Sequence, residues 1–249
     1  MSYEFVAGRY PVLSVIANPR REPRKLFFQT DLDWPPVMQE IKDWAERRHV
    51  QFKEVSRITL EKRFSQSGQK HQGVVLITSP YPYAELDEVL PTAVTGKAAN
   101  PLYLILDHIQ DPHNLGALIR SAELAGVTAV IIPKDRACEV TTTVVKTSAG
   151  ASELIPVCLV TNINRTIDVL KEHGICIIGV ETGGATLYNL DLNQPLALII
   201  GNENDGLKKL TMDKCDHLAE IPMHGRTASL NASVAGGIAM FEAARQRSL

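Results

Sequence analysis

At 249 residues the chain is long enough for one large or two modest domains, and 45% apolar against 22% charged residues excludes intrinsic disorder as its main state. A net charge of −2 excludes a protein that holds nucleic acid by bulk positive charge, so such a partner has to be held by local patches. No run approaches the roughly 18 apolar residues of a membrane span and the start MSYEFVAGRYPV lacks an export signal's basic-then-apolar pattern, so a cytoplasmic protein is expected.

The first segment carries short strand-like runs at 26–28, 51–55 and 73–78, with helical patterns at 36–48 and 58–64 between them, which predicts a small α/β unit over 1–90. Up to residue 90 there are 13 Lys and Arg against 12 Asp and Glu, and afterwards 13 against 16, so the positive excess is N-terminal. It centres on Arg20, Arg21, Arg24 and Lys25, near Phe27 and Phe28, which read as exposed. Residues 91–100, PTAVTGKAAN, have only Val94 as a bulky apolar anchor and are assigned as a linker.

From 101 to 249 the pattern changes. The runs at 102–107, 129–133, 175–180 and 196–201 are nearly all apolar, as strands buried on both faces are. Helical stretches at 115–125, 164–173 and about 230–246 alternate with them, which implies a mostly parallel sheet with helices on both faces. In such sheets ligands bind beyond the carboxyl ends of the strands. Three segments qualify. In the first, Asp107 ends a strand, Pro112 fixes a turn, and Asn114 is placed to cap the helix that carries Arg120 near the edge of its buried face. In the second, a strand runs into Gly201-Asn202-Glu203-Asn204-Asp205-Gly206, where paired glycines allow close backbone approach. It lacks the GK[ST] ending of a nucleotide loop, and no GxGxxG follows the first strand, so nucleoside triphosphate and dinucleotide readings lose their residues. The third runs from Ile221 into a helix with small residues at Ala232, Ser233, Ala235, Gly236 and Gly237. Two glycines in a helix cost about 1 kcal/mol each relative to Ala, so close packing of another segment is expected to offset them.

His108, His113 and His224 match no metal-ligand spacing and read as loop histidines, so no metal is expected. Cys138, Cys158, Cys176 and Cys215 hold no CxxC pair and read as reduced structural thiols.

Together the segments resemble the three motifs of the SpoU family of RNA ribose 2′-O-methyltransferases. Asn114-x-Gly116-x-x-x-Arg120 is similar to the first, Gly201-Asn202-Glu203 with Gly206-Leu207 to the second, and Ile221-Pro222-Met223 through Ser229-Leu230-Asn231-x-Ser233-Val234-Ala235 to the third. The second departs at Asn204, where the family has Gly. The resemblance covers about 102–247. It extends more weakly to 1–90, which looks like the small ribosomal-protein-like substrate domain of bacterial enzymes that methylate a guanosine in 23S ribosomal RNA. It implies a SPOUT-type parallel sheet with a deep trefoil knot, a homodimer whose sites are completed by both subunits, and S-adenosyl-L-methionine as donor. It assigns the cofactor to Gly201, Ile221 and Leu230 with Glu181, Thr182 and Gly183 beside them. It assigns the chemistry to Asn114, Arg120, Glu203, Ser229 and Asn231; for an enzyme acting on structured RNA, the N-terminal cluster of Arg20, Arg21, Arg24 and Lys25 becomes the candidate RNA contact. A transfer RNA substrate, or a non-catalytic RNA-binding assembly factor, is the alternative, and an α/β oxidoreductase a distant third.

Overall fold

The computed structural model describes residues 3–18, 20–64, 71–90, 100–203, 205–227 and 229–248. The linker reading at 91–99 and the departure at Asn204 lie outside them. The chain forms two compact units. One joins Met1–Pro82 with Val140–Leu154, and the other joins Tyr83–Glu139 with Ile155–Leu249. The segment 140–154, counted with the C-terminal part in the sequence reading, is therefore an excursion of that part into the N-terminal unit.

In the first unit, β1 (Glu4–Ala7), α1 (Arg9–Ala17), β2 (Pro23–Gln29), α2 (Pro36–Arg47), β3 (Gln51–Val55), α3 (Arg57–Phe64) and β4 (Val74–Thr78) build a four-stranded sheet of order β1-β4-β2-β3. β4 runs antiparallel to both neighbours and β2 parallel to β3. Side chains alternate across a sheet, so the strands offer two different faces. Val6, Leu26, Phe28, Val74 and Leu76 are buried on one, where Phe28 meets Trp34 at 5.0 Å. On the other, Ala7, Phe27 and Val75 pack with Leu60 and Phe64 of α3. Phe27 and Phe28 are thus core residues, contrary to the reading that placed them on the surface. β1 and α1 were missed because EFVA is only four residues long and a run of apolar residues without clear periodicity follows it.

The second unit is a parallel six-stranded sheet of order β10-β8-β9-β5-β6-β7. Its strands are β5 (Leu102–Asp107), β6 (Ala129–Pro133), β7 (Val157–Val160), β8 (Cys176–Thr186), β9 (Leu196–Gly201) and β10 (His217–Glu220). With α4 (Leu86–Val89), α5 (Pro112–Leu124), α7 (Ile163–Glu172), α8 (Lys209–Lys214) and α9 (Ala232–Arg247) they form this unit, α6 (Thr142–Thr147) belonging to the excursion. β5, β6 and β9 are buried along their whole length, which explains their unbroken apolar sequences. α5 begins at Pro112 with Asp111 as its cap, the Asp111 carboxylate accepting from the His113 N–H at 2.9 Å. Asn114 is therefore inside the helix, not at its cap, and its side chain is free for another task. α9 packs on α5 and β9. A Cβ added at Gly236 would lie 2.3 Å from Leu118 Cδ2, so the glycine is explained by contact within one chain. Among the described residues no helix is long and apolar enough to cross a membrane.

Candidate functional site

Because β5, β8, β9 and β10 are parallel, their carboxyl ends share one edge of the sheet. β5 and β9 are neighbours, with Asp107 paired to Gly201, although the chain visits β6, β7 and β8 between them. Consecutive connections diverge at this point, and a crevice forms there. A cavity of about 310 Å³ occupies this edge, lined among others by Glu181, Thr182, Gly201, Glu203, Ile221 and Leu230.

Its floor is glycine backbone. Gly201 lies so close to the returning chain that a Cβ would sit 2.3 Å from the Gly206 carbonyl carbon, and Asn202 and Gly206 exchange backbone hydrogen bonds of 3.2 and 2.9 Å. Gly206 adopts φ 64°, a conformation that favours glycine. The Glu181 carboxylate accepts from the Leu207 N–H at 2.9 Å, tying the end of β8 to this loop. Asn202 Nδ2 donates to the His108 carbonyl at 2.8 Å and holds that residue at φ 64°. On the other wall, Met223 and Leu230 make no backbone hydrogen bond within the described residues, which leaves their polar groups available to a ligand.

One polar network joins the three segments. Asn114 Nδ2 donates to the Glu203 carboxylate, and Asn231 Nδ2 donates to Asn114 Oδ1 at 3.1 Å. Asn231 also caps α9, its Oδ1 accepting from the Ser233 N–H at 2.9 Å. Ser229 lines the cavity with no hydrogen bond inside the described residues. Gly183 is beside the lining and donates its N–H to Glu220 at 2.6 Å.

Arg120 is the exception. It is exposed on α5, outside the lining, because the buried positions Leu118, Ile119 and Ala122 turn it outward. The N-terminal cations divide as well. Arg21 is 2% exposed and forks onto Glu153 at 2.7 and 3.1 Å, reaches Glu4 at 3.0 Å, and lies 4.7 Å from the Tyr81 ring centre. It is a structural ion pair and cannot contact a ligand, which corrects its assignment to an RNA surface. Arg20 is half-buried and donates to the Pro82 carbonyl at 3.3 Å, Arg24 is exposed and paired with Glu22 at 2.8 Å, and Lys25 lies 5.7 Å from the Phe27 ring centre. The sequence reading passed over Asn202 as a site residue, and Glu220 altogether. Only the position of Asn202 between two glycines at a strand end hinted at it. Among the described residues no cluster of three or more His, Cys, Asp or Glu could hold a metal ion.

Residues 101–241 match the model of the SpoU rRNA Methylase family, and residues 5–84 match that of the RNA 2′-O ribose methyltransferase substrate-binding domain. The chain is 41% identical over 255 residues to the 23S rRNA (guanosine-2′-O-)-methyltransferase RlmB of Vibrio vulnificus, covering 99% of this chain and 98% of the relative. It is 41% identical to the enzyme of the same name from Xanthomonas axonopodis pv. citri, over 98% and 97% of the two chains. The fold is that of the SpoU methyltransferase AviRb from Streptomyces viridochromogenes, with a TM-score of 0.82 at 24% identity, over 99% of this chain and 91% of that one.

Proposed function

Since the chain belongs to the SpoU rRNA methylase family, we propose that it transfers a methyl group from S-adenosylmethionine to the 2′-hydroxyl of a guanosine ribose in 23S ribosomal RNA, in the cytoplasm. The observation that carries this reading is the joining of Asn114, Glu203 and Asn231, 117 residues apart at the extremes, into one network on the rim of a glycine-floored cavity. A substrate-binding unit over 5–84 and full-length relatives with that printed activity favour ribosomal over transfer RNA.

The cavity suits the cofactor. Gly201 and Gly206 let two backbone segments meet in its floor, and the backbone of Met223 and Leu230 supplies donors and acceptors that a nucleoside needs. When bound, S-adenosylmethionine supplies a methyl already activated by its sulfonium, so the chain has to position the acceptor oxygen in line and manage its charge. Glu203 and Asn231 fix the Asn114 amide from both sides, and the Ser229 hydroxyl is available to the ribose. We assign stabilisation of the forming alkoxide to Arg120, whose guanidinium offers several N–H donors to the oxygen and the adjoining phosphate. It keeps its own protons, so water or a phosphate oxygen accepts the hydroxyl proton.

Arg120 reaches that position from a second copy of the chain. Its exposure on α5, beside Leu124 at 65% and near Val234 and Phe241 at 48% and 49% exposed on the adjoining α9, supports a homodimer formed through this helix pair. The knot implied by the family belongs to the same proposal. Arg120→Ala is expected to lower methyl transfer to an rRNA transcript by about 100-fold or more with cofactor binding unchanged. Retained turnover overturns the role. Mixing Arg120→Ala chains with Glu203→Ala chains is expected to restore activity, since each mixed dimer holds one intact site; failure to restore it places Arg120 in its own chain's site.

A further inference from the structure

The register of the N-terminal sheet sets two rows of side chains on the face that α3 covers. Ala7, Val75, Phe27 and Lys53 stand opposite one another in one row, and Phe5, Ile77, Lys25 and Gln51 in the next. α3 closes over the first row through Leu60 and Phe64. The second row crosses all four strands, about 14 Å at the usual spacing, and is only partly covered: Phe5, Ile77 and Lys25 are half-buried, the Phe5 ring lying 5.6 Å from that of Phe64, and Gln51 is exposed. Tyr3, 53% exposed, precedes the row on β1's side.

Several cations of this unit are already paired with carboxylates, although among the described residues Arg47 and Arg48 at the end of α2 are not. Arg24 is paired with Glu22, Lys42 with Glu54 and Arg57 with Glu61, and Arg21 is buried on Glu153. Among the described residues, Lys25, Lys53, Lys62 and Arg63 have no such partner. Lys25 and Arg63 converge instead on one ring, 5.7 and 5.1 Å from the centre of Phe27, and Arg63 also lies 5.5 Å from that of Phe64. Partly exposed aromatic rings and cations without carboxylate partners on one sheet face are what unstacked bases and their phosphates require, whereas a duplex presents no free base to stack.

We propose that this face, with Phe5 and Ile77 as its apolar platform and Lys25, Lys53 and Arg63 as its phosphate contacts, binds a single-stranded stretch of the RNA substrate. It deepens the reading given above and rests on it for the identity of the RNA. It replaces Arg20 and Arg21 as contacts and retains Lys25.

The test uses the full chain with a fluorescent single-stranded oligoribonucleotide and a hairpin bearing an unpaired loop. In K25E/K53E/R63E, affinity for both is expected to fall at least tenfold. The slope of log affinity against log salt is expected to shrink by about 2, at roughly 0.7 per lost phosphate contact. K53E/K62E, which leaves the two cations over Phe27 in place, is the control for folding and is expected to lose at least threefold, with an unchanged melting temperature. On an rRNA transcript KM should rise with kcat preserved at saturating RNA, and ultraviolet crosslinks should fall on 3–7 and 51–63. Unchanged affinity and salt slope in both variants overturn the proposal while leaving methyl transfer intact. Loss of binding to anionic vesicles with RNA affinity unchanged also overturns it. Wild-type RNA binding that the variants abolish, without methyl transfer to any RNA, sustains this face and instead defeats the assigned function.

Discussion

Two polar clusters of three side chains each do opposite work in this protein. Asn114, Glu203 and Asn231 form a chain of hydrogen bonds at the rim of a cavity, with Glu203 and Asn231 exposed. Arg21, Glu153 and Glu4 form an equally short-range cluster in which Arg21 and Glu153 are 2% and 0% exposed. Burial pushes the Glu153 carboxyl above its usual range, and Arg21 opposes that shift. Groups at the rim can exchange one partner for a ligand at little cost. Groups sealed from water cannot, because the partner left behind has nothing to bond to. Access to solvent separates the cluster that can meet a ligand from the one that cannot.

The comparison is tested most severely by Arg21→Ala, which strands a buried carboxylate. Urea unfolding should show a loss of about 3–5 kcal/mol. Glu203→Gln, by contrast, should abolish methyl transfer while leaving the unfolding midpoint nearly unchanged; a large loss of stability from it would erase the distinction. Next in size, Gly236→Ala drives a methyl into fully buried Leu118. It should cost about 1–3 kcal/mol by overpacking, partly offset by roughly 1 kcal/mol of helix propensity, as read by thermal melting. Asn231→Ala removes a helix cap as well as a partner of Asn114. It is expected to cost about 1 kcal/mol, with a larger effect on activity than on stability.

The smallest effect belongs to an ion cluster of a third kind. Glu242 on α9 accepts from Arg245 at 2.8 and 2.9 Å and from Gln246 at 2.9 Å, and the Arg245 hydrogen bonds bring its carboxyl down to about 2. A carboxyl held below its unfolded value of 4.5 stabilises the fold above that pH, and the contribution is lost as pH falls toward about 2. The difference in melting temperature between the wild type and Glu242→Gln should therefore shrink across that range. A difference constant in pH would mean that the side chain acts by packing alone.

The alternation of apolar runs with helical stretches was enough to read the parallel sheet of the C-terminal half, because strands buried on both faces leave an unbroken apolar signature. Two of the three polar segments were legible for a related reason: they stand directly after such runs, where strand ends must leave the sheet. The third was marked by the small-residue helix that follows it. β7 and β10, four residues each, were too short to carry a pattern. Asn114 joins the polar network, but the cap position expected of it is taken by Asp111, since sequence does not say which of two nearby polar residues starts a helix. Arg120 was placed near the buried edge of α5, and only its neighbours' packing shows it turned outward.

Sequence by itself determined where the chain forms strands, where it leaves them, and which side chains wait at those exits, since propensity, periodicity and glycine placement are local. Tertiary structure alone decided that Phe27 is sealed while Phe5 and Ile77 stay half-buried, that Arg21 is spent on Glu153, and that the 140–154 segment joins the N-terminal unit. The accessibility of a side chain is fixed by segments remote in the chain, and no local pattern records which of them will arrive to cover it.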